Sequence, residues 1–224
     1  MPARGLSRPV VPARGLSRPV VGVRGERARL RALLSQPAAD AARGLIGCVL
    51  VRRVGGRTLA ARIVEVEAYL GADDPAAHVY RGRTPRTEPL FGPPGTLYVY
   101  FVYGMHHCLN VAVDASGAAG CVLVRAAEPL PGSGLAPDAC RGPGRLCRAL
   151  SIDTRLSGRH LFEANAPLTL REGLSPRRVV VSPRVGIRDA ADWPLRFYDA
   201  TSSAVSAGPR AGISSGVAQQ RGKP

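Results

Sequence analysis

The sequence has almost no lysine and few acidic residues. Lys223 is the only lysine, and 31 basic residues stand against 16 acidic ones, so the 224-residue chain carries a formal net charge of +15. An excess of this size indicates a polyanionic partner, nucleic acid before membrane. Arginine suits bidentate phosphate contacts, but charge alone does not say what is done to the nucleic acid.

Paired cysteines and long apolar runs are also missing. The five cysteines are widely spaced, and no CxxC pair or zinc-spaced His cluster occurs, which argues against a disulfide framework and against a metal site. No apolar run reaches transmembrane length, and no signal-peptide core is present. These absences predict a cytoplasmic protein without cofactor, metal or membrane partner, associated with the nucleoid if its partner is DNA.

The two ends of the chain differ in composition from its centre. Residues 2–11 recur unchanged as residues 12–21, and a Pro- and Arg-rich repeat without helical or strand period predicts disorder. The Ser/Ala/Gly-rich end from about Thr201 carries no pattern either. We therefore predict a disordered segment over 1–25, one domain over 26–200 and a disordered tail over 201–224.

Periodicity and turn residues predict short helices and strands within the domain. The helices are Glu26–Leu34, Ala38–Leu45 and Arg145–Leu150. The strands are Cys48–Arg53 and Thr58–Ala68, which form a hairpin across Val54–Gly55–Gly56, then Cys121–Ala126 and Val179–Ile187; Trp193–Tyr198 closes the ordered part. A regular alternation in the second strand would place Ile63, Glu65 and Glu67 on one face. Since burying two acids is costly, we expect at least one of them to border a cleft; a solvated edge face is the alternative.

The stretch Pro94–Asn110 is rich in aromatic residues and reads PGTLYVYFVYGMHHCLN. Leu97–Tyr103 is β-branched and aromatic and predicts a strand, and the alternating residues after Met105 predict a second. Only Gly104 and Met105 lie between them, which fits a type II′ hairpin turn with Tyr103 at its tip. On this stretch alone, a tyrosine folded back over the sheet is the simpler interpretation, and a tyrosine facing a partner is the alternative.

The candidate functional residues combine one carboxylate at a strand end, several flat rings and a cation. They are Glu67, Tyr69, His78, Tyr100, Tyr103, Asn110 and Arg125. Flat rings can sandwich a planar base, and a carboxylate can deprotonate water. An enzyme that acts on a base inside a duplex must first extrude it, and a wedge then fills the gap. A tyrosine at a hairpin tip and a basic surface suit those two needs.

Six segments in chain order from about Leu45 to Tyr198 resemble the alkyladenine DNA glycosylase family, the 3-methyladenine DNA glycosylases of the mammalian type. They are RIVEVEAYLGADDPAAH (62–78), PGTLYVYFVYGMHHCLNV (94–111), CVLVRAAEPL (121–130), GPGRLC (142–147), RVGI (184–187) and PLRFY (194–198). EAYLG, TLYVY and YGM at these spacings are together highly specific. The resemblance implies an α+β fold: a single domain with a curved, mainly antiparallel β-sheet, flanking short helices and a protruding hairpin. It also implies a monomeric, monofunctional DNA glycosylase of base excision repair that acts on damaged purines in double-stranded DNA.

The resemblance implies catalytic and DNA-contacting roles by position. Glu67 would activate water against C1′ of the flipped nucleotide, and Arg125 and the backbone carbonyl of Val185 would help to hold that water. Tyr103, with Met105 beside it, would enter the minor groove as the intercalating wedge.

Four further positions would bind the flipped base. Tyr69 would stack on one face, and His78 and Tyr100 on the other, while the backbone N–H of His78 would read the base edge. Asn110 would crowd out the exocyclic amine of normal guanine.

Two other interpretations stay open. One is a non-catalytic nucleic-acid-binding protein that retains the fold; intact Glu67 and Arg125 disfavour it, and equal binding to damaged and normal duplex would support it. The other is a hydrolase of free nucleosides or sugars. That chemistry favours two carboxylates on facing elements, whereas Glu65 and Glu67 are neighbours on one strand.

Overall fold

An antiparallel sheet organises the part of the chain that the computed structural model describes, residues 23–176 and 178–208. The helices are α1 (Val23–Leu34), α2 (Ala38–Leu45) and α3 (Pro143–Ala149), and short 3-10 helices span Gly71–Asp73, Glu88–Phe91 and Thr154–Leu156. The strands are β1 (Val49–Val54), β2 (Arg57–Tyr69), β3 (Leu97–Val102), β4 (His106–Ala112), β5 (Cys121–Pro129), β6 (Leu168–Arg171), β7 (Val179–Ser182) and β8 (Arg196–Asp199).

The longest strand, β2, lies at the centre of the sheet. The strand order is β3-β4-β5-β2-β1-β6, and β8 pairs with β2 and with β7. β5 runs along one edge of β2, whereas the other edge is shared by β1 in its first half and β8 in its second. This curled antiparallel sheet with three short helices confirms the predicted α+β fold.

The turn between β1 and β2 follows directly from two glycines. Gly55 and Gly56 both have positive φ, 54° and 72°, which a type I′ turn requires at its two central residues. The sequence prediction of a hairpin across this turn is therefore confirmed.

The five cysteines of the described region are buried and unpaired, and they act as small apolar side chains.

A β-bulge in β2 reverses the faces that a regular alternation predicts. The register against β5 shifts on both sides of Glu65. Ile63 and Val66 both reach the main core, while Val64 packs into a separate small cluster. The prediction that Ile63 shares a face with Glu65 and Glu67 is wrong, because the extra residue in the bulge moves the acids to the opposite face.

The hairpin of β3 and β4 has a different turn from the predicted one. Its last pair is Val102 with His106, and the N–H of Met105 donates to the carbonyl of Val102 at 3.2 Å. Tyr103 and Gly104 both have positive φ, 53° and 66°. The predicted type II′ turn is therefore wrong: Tyr103 itself holds the first central position of a type I′-like turn.

Tyr103 does not fold back over the sheet. Its side chain is 85% exposed, and the left-handed backbone that it adopts is uncommon for a residue with a side chain of this size. Such conformations persist where the surrounding structure imposes them, often at functional positions.

The last strands and the C-terminal segment depart from the predicted pattern. β7 ends at Ser182 because Pro183 cannot donate to the ladder, and β6 had no counterpart among the predicted strands. The sequence assigns residues 201–208 to the tail, but Ala204, Val205 and Ser206 within them are buried.

Residues 1–22 and 209–224 lie outside the described residues, so the disorder expected there stays a prediction. No helix in the described part of the chain is long and apolar enough to cross a membrane.

Candidate active site

Glu67, near the end of β2, is the centre of a buried hydrogen-bond network. Its Oε1 accepts a hydrogen bond from the backbone N–H of Val185 at 2.7 Å and lies 3.2 Å from Nη1 of Arg125. Its Oε2 accepts from the hydroxyl of Tyr69 at 3.1 Å. The side chain is 0% exposed. These donors satisfy a carboxylate that would otherwise be very costly to bury.

The two oxygens of Glu67 differ in what they can still do. Oε1 already faces a backbone N–H and a guanidinium, whereas Oε2 faces only the Tyr69 hydroxyl. Since a carboxylate oxygen can accept two hydrogen bonds, Oε2 retains capacity for a water. Burial, and then the nearby charge of Glu67, raises the pKa of Tyr69, so its hydroxyl remains a donor to Oε2.

Both acids of β2 are buried, contrary to expectation. Glu65 is 0% exposed, as Glu67 is, so the alternative of a solvated edge face is wrong, and both acids are buried despite the expected cost. Both acids can be buried because arginine side chains compensate their negative charges. Arg125 on β5 reaches both carboxylates, and Arg196 on β8 donates to Glu65 at 2.7 Å.

A cavity of about 120 Å³ lies beside this network. Its lining is mainly aromatic and small apolar: Tyr69, Ala76, Ala77, His78, Val79, Leu90, Tyr98, Tyr100, Asn110, Ala119, Cys121 and Ile187. Tyr69 joins the two parts of the site, since its ring lines the cavity while its hydroxyl contacts Glu67. A planar ligand in the cavity would therefore lie next to the carboxylate.

Three rings pack against one another on the cavity wall. The centroids of His78 and Tyr100 are 4.6 Å apart in an edge-to-face arrangement, and those of Tyr98 and Tyr100 are 5.4 Å apart. The Nδ1 of His78 is 2.9 Å from the Tyr98 hydroxyl. The sequence analysis did not include Tyr98 among the candidate residues. Tyr98 lies two residues before Tyr100 on β3, and this spacing was the signal that could have found it.

Asn110 is fixed at the base of the cavity. It lies on β4 opposite Tyr98 and is 3% exposed. Its Nδ2 donates to the Tyr98 carbonyl at 3.3 Å, and the thiol of Cys121 lies 3.9 Å from its Oδ1. The side chain is therefore held in one orientation.

Tyr69 rests on a buried ion pair that the sequence analysis missed. The guanidinium of Arg184 lies 4.6 Å from the centroid of the Tyr69 ring, within cation–π range. Arg184 donates to Asp74, at 2.9 Å for Nη2 to Oδ1, and both side chains are 0% exposed. Asp74, an acid in the long loop after β2, was the only sequence signal for this ion pair, because Arg184 lies 110 residues further along the chain.

Arg86 brings a positive charge to the other side of the cavity. Its guanidinium lies 5.4 Å from the centroid of the Tyr100 ring. Partial burial, followed by the charge of Arg86, lowers the pKa of His78 below its usual value. His78 is therefore neutral at pH 7 and places no second charge on the cavity wall.

The hairpin tip and a second cleft of about 530 Å³ adjoin the aromatic cavity. Tyr103 lines this cleft with the loop 75–81 and the loop 186–189, and His78 and Ile187 border both spaces. Met105 is 67% exposed at the tip. The structure thus brings Glu67, Arg125, Val185 and Tyr69 into one network, places His78, Tyr100 and Asn110 with Tyr69 around the cavity, and leaves Tyr103 and Met105 on the protruding tip.

Hydrolysis at the sugar carbon of an extruded base needs a carboxylate next to a flat pocket, and a way to fill the vacated position in the duplex. This chain has a buried carboxylate next to a flat pocket in its core and an exposed tyrosine at its hairpin tip, on a strongly basic protein. Among the described residues, no group of three or more His, Cys, Asp and Glu could hold a metal ion. The class of protein that this fold and site define is the DNA glycosylase.

Comparison with known proteins identifies the family. The profile described as Methylpurine-DNA glycosylase (MPG) matches residues 32–203. A relative from Myxococcus xanthus, provisionally named 3-methyladenine DNA glycosylase, is 46% identical over 80% of this chain and 93% of its own length. One from Synechococcus elongatus with the same provisional name is 48% identical over 78% and 88%. The mouse DNA-3-methyladenine glycosylase is 43% identical over 84% of this chain and 62% of its own length. The chain belongs to the methylpurine-DNA glycosylase family.

Proposed function

We propose that this protein is a monofunctional DNA glycosylase of base excision repair. It flips alkylated or deaminated purines out of duplex DNA and hydrolyses the N-glycosidic bond with a water activated by Glu67. The lesions in question are 3-methyladenine, 7-methylguanine, hypoxanthine and ethenoadenine. The names of the mouse and human relatives support the lesion class. The observation that carries the proposal is the Glu67 carboxylate, linked through Tyr69 to an aromatic cavity.

The chemistry requires little beyond one carboxylate. A water on Oε2 of Glu67 gives its proton to the carboxylate as its oxygen bonds to C1′. The C1′–N bond breaks, and its electron pair leaves with the base. A purine alkylated at N3 or N7 is already cationic and leaves as a neutral base, whereas hypoxanthine needs protonation first. Arg125 lies 3.2 Å from Glu67 and holds the carboxylate in place. The backbone N–H of Val185 donates to Glu67, and the Val185 carbonyl would help to hold the water.

The cavity suits the recognition of a flipped purine. Tyr69 offers one ring face, and the edge-to-face pair of His78 and Tyr100 offers another wall. Stacking of a base on such rings contributes about 1–3 kcal/mol per base. Asn110, fixed by its bond to the Tyr98 carbonyl, would meet the exocyclic amine of guanine and disfavour the normal base.

The hairpin tip suits the wedge role. Tyr103, with Met105 beside it, would enter the minor groove and occupy the space that the extruded nucleotide leaves. A lyase step through a Schiff base is not expected, because Lys223 is the only lysine in the chain. The protein would act as a monomer on DNA of the nucleoid.

Single-turnover excision tests this proposal. Duplexes carrying hypoxanthine, ethenoadenine or 7-methylguanine are compared with an unmodified duplex, for the wild type and for Glu67→Gln. Loss of a general base lowers rates by about 10²–10⁴, so Glu67→Gln should bind damaged DNA but release almost no base.

The matched control is Glu172→Gln, an exposed acid paired with Arg29 next to β6, at the far end of the sheet from the hairpin. It should excise at the wild-type rate. Full activity of Glu67→Gln would contradict the assignment of the base. No release by the wild type, with lesion binding intact, would instead leave a DNA-binding protein that has lost its chemistry.

A further inference from the structure

Glu65 is a fully buried carboxylate for which the reaction above has no use. It lies two residues before Glu67, within the bulge of β2, and is 0% exposed. Its Oε1 accepts from Nε of Arg125 at 3.1 Å and from Nε of Arg196 at 2.7 Å. A buried acid with this many charged partners needs a structural or a functional reason.

Arg125 connects this acid to the proposed catalytic one. Its Nε contacts Glu65, and its Nη1 lies 3.2 Å from Glu67. One guanidinium therefore bridges the two carboxylates through different nitrogens. Because the guanidinium is planar and rigid, fixing Nε on Glu65 fixes the direction in which Nη1 meets Glu67.

The C-terminal segment Ala204–Ser206 holds Glu65 from the other side. The backbone N–H of Ser206 donates to its Oε2 at 2.6 Å, and the hydroxyl donates to its Oε1 at 2.9 Å. Ala204 and Val205 pack with Val64, the neighbouring residue in the bulge. The bulge and this segment therefore support each other.

Charge also balances across the cluster. Glu65 and Glu67 face Arg125 and Arg196, so the two negative charges lie among two positive ones. If Glu65 lost its charge, Arg125 would keep only one of its two anionic partners and would no longer be held from both sides.

We propose that Glu65 is a positioning residue for Arg125 and through it for Glu67, and that Ser206 completes this support. The inference rests on the proposed function, since it assigns a role within the same reaction. Glu65 touches neither the base nor the water; it sets the direction of one guanidinium and the charge around the general base.

The principal test is Glu65→Gln, which keeps the shape and removes the charge. Its single-turnover rate should fall by at least about tenfold through displacement of Arg125, with lesion binding retained. A merely structural role would lower the melting temperature and weaken lesion binding together with the rate. An unchanged rate in folded Glu65→Gln, or a loss of binding as large as the loss of rate, would overturn the proposal.

The matched control is Glu128→Gln, on β5 of the same sheet. Glu128 pairs with Arg62 and has a 42% exposed side chain. Its charged partner is Arg62 rather than Arg125, so its rate and its lesion binding should match the wild type. An equal loss of rate in this control would overturn the specific role of Glu65.

A second variant keeps the test decisive if Glu65→Gln does not fold. Ser206→Ala removes one hydrogen bond to Glu65 and leaves all the charges in place, so the rate should fall by a smaller factor, about threefold. Ser203→Ala, at an exposed position in the same segment, is the control and should keep the full rate. Equal rates for the two variants would overturn the proposal. In either test an active wild type and an inactive Glu67→Gln would leave the proposed function standing.

Discussion

At the scale of single residues, the charge state of His78 affects whether the cavity can bind a cationic base. The ring is neutral at pH 7, because partial burial and Arg86 lower its pKa. A neutral ring can lie against a cationic purine without repulsion. Once it binds a proton, the same ring repels a cationic lesion and leaves a neutral one almost unaffected.

This coupling predicts a pH dependence of lesion preference. As the pH falls through the lowered pKa of His78, affinity for 7-methylguanine should drop by about tenfold relative to ethenoadenine, a difference of about 1.4 kcal/mol. Arg86→Gln removes the charge that disfavours protonation, so the same drop should begin at higher pH. The measurement is binding of the two duplexes by inactive Glu67→Gln, with and without Arg86→Gln, across the range below pH 8.

One control variant makes this prediction specific. His78→Phe keeps a flat ring without a titrating group, and its preference should not change with pH. A preference that changes with pH in the same way in His78→Phe would show that another group is responsible.

At the scale of elements, the sequence predicts the parts whose structure is set by local pattern. The turn at Gly55 and Gly56 and the first two helices follow from residues that are adjacent in the chain. The hairpin that carries Tyr103 was also predictable, because strands of alternating residues met at a glycine. Its turn type was not, since a tyrosine in the left-handed region has no local signal.

The bulge in β2 shows where local pattern fails. Nothing within RIVEVEAY marks Val64 as an extra residue, because the bulge depends on register against β5 and on packing of the 204–206 segment. The buried pairs Arg196–Glu65 and Arg184–Asp74 join positions 131 and 110 residues apart. A single sequence carries no signal for such pairs, whereas the motif resemblance did place Glu67, Tyr69 and Arg125 in one site.

The hairpin leads to a prediction about its tip. Tyr103→Asn removes the ring, and asparagine tolerates the left-handed backbone well, so the turn should persist. Because Tyr103 is 85% exposed, the melting temperature should stay within a few degrees of the wild type. Affinity for lesion-bearing duplex should fall about tenfold, as expected when a stacking side chain is lost.

Leu174→Ser gives the matched control for this change. Leu174 is 66% exposed and follows β6, at the other end of the sheet. It should alter neither affinity nor stability. A large loss of thermal stability in Tyr103→Asn would show instead that the ring supports the fold, and unchanged affinity would remove the wedge role.

At the scale of the whole molecule, charge acts in two different ways. Inside, arginines are paired with acids around the site, as in the contact of Arg125 with Glu65 and Glu67. Outside, the chain carries a formal net charge of +15, and part of that excess lies in residues 1–22. That segment contains Arg4, Arg8, Arg14 and Arg18 and no acidic residue.

Deleting residues 1–22 should therefore change how DNA binding depends on salt. Each arginine that contacts a phosphate adds about 0.9 to the slope of log affinity against log salt concentration, so the shortened chain should show a smaller slope and weaker binding at low salt. The single-turnover rate at saturating enzyme should not change, because Glu67, Arg125 and the cavity lie far along the chain from this segment. A full-length chain with Arg→Gln at positions 4, 8, 14 and 18 should behave like the deletion if charge is responsible. Identical slopes for all three proteins would mean that the segment makes no phosphate contact, and a loss of cooperative unfolding in the deletion would mean that it supports the fold.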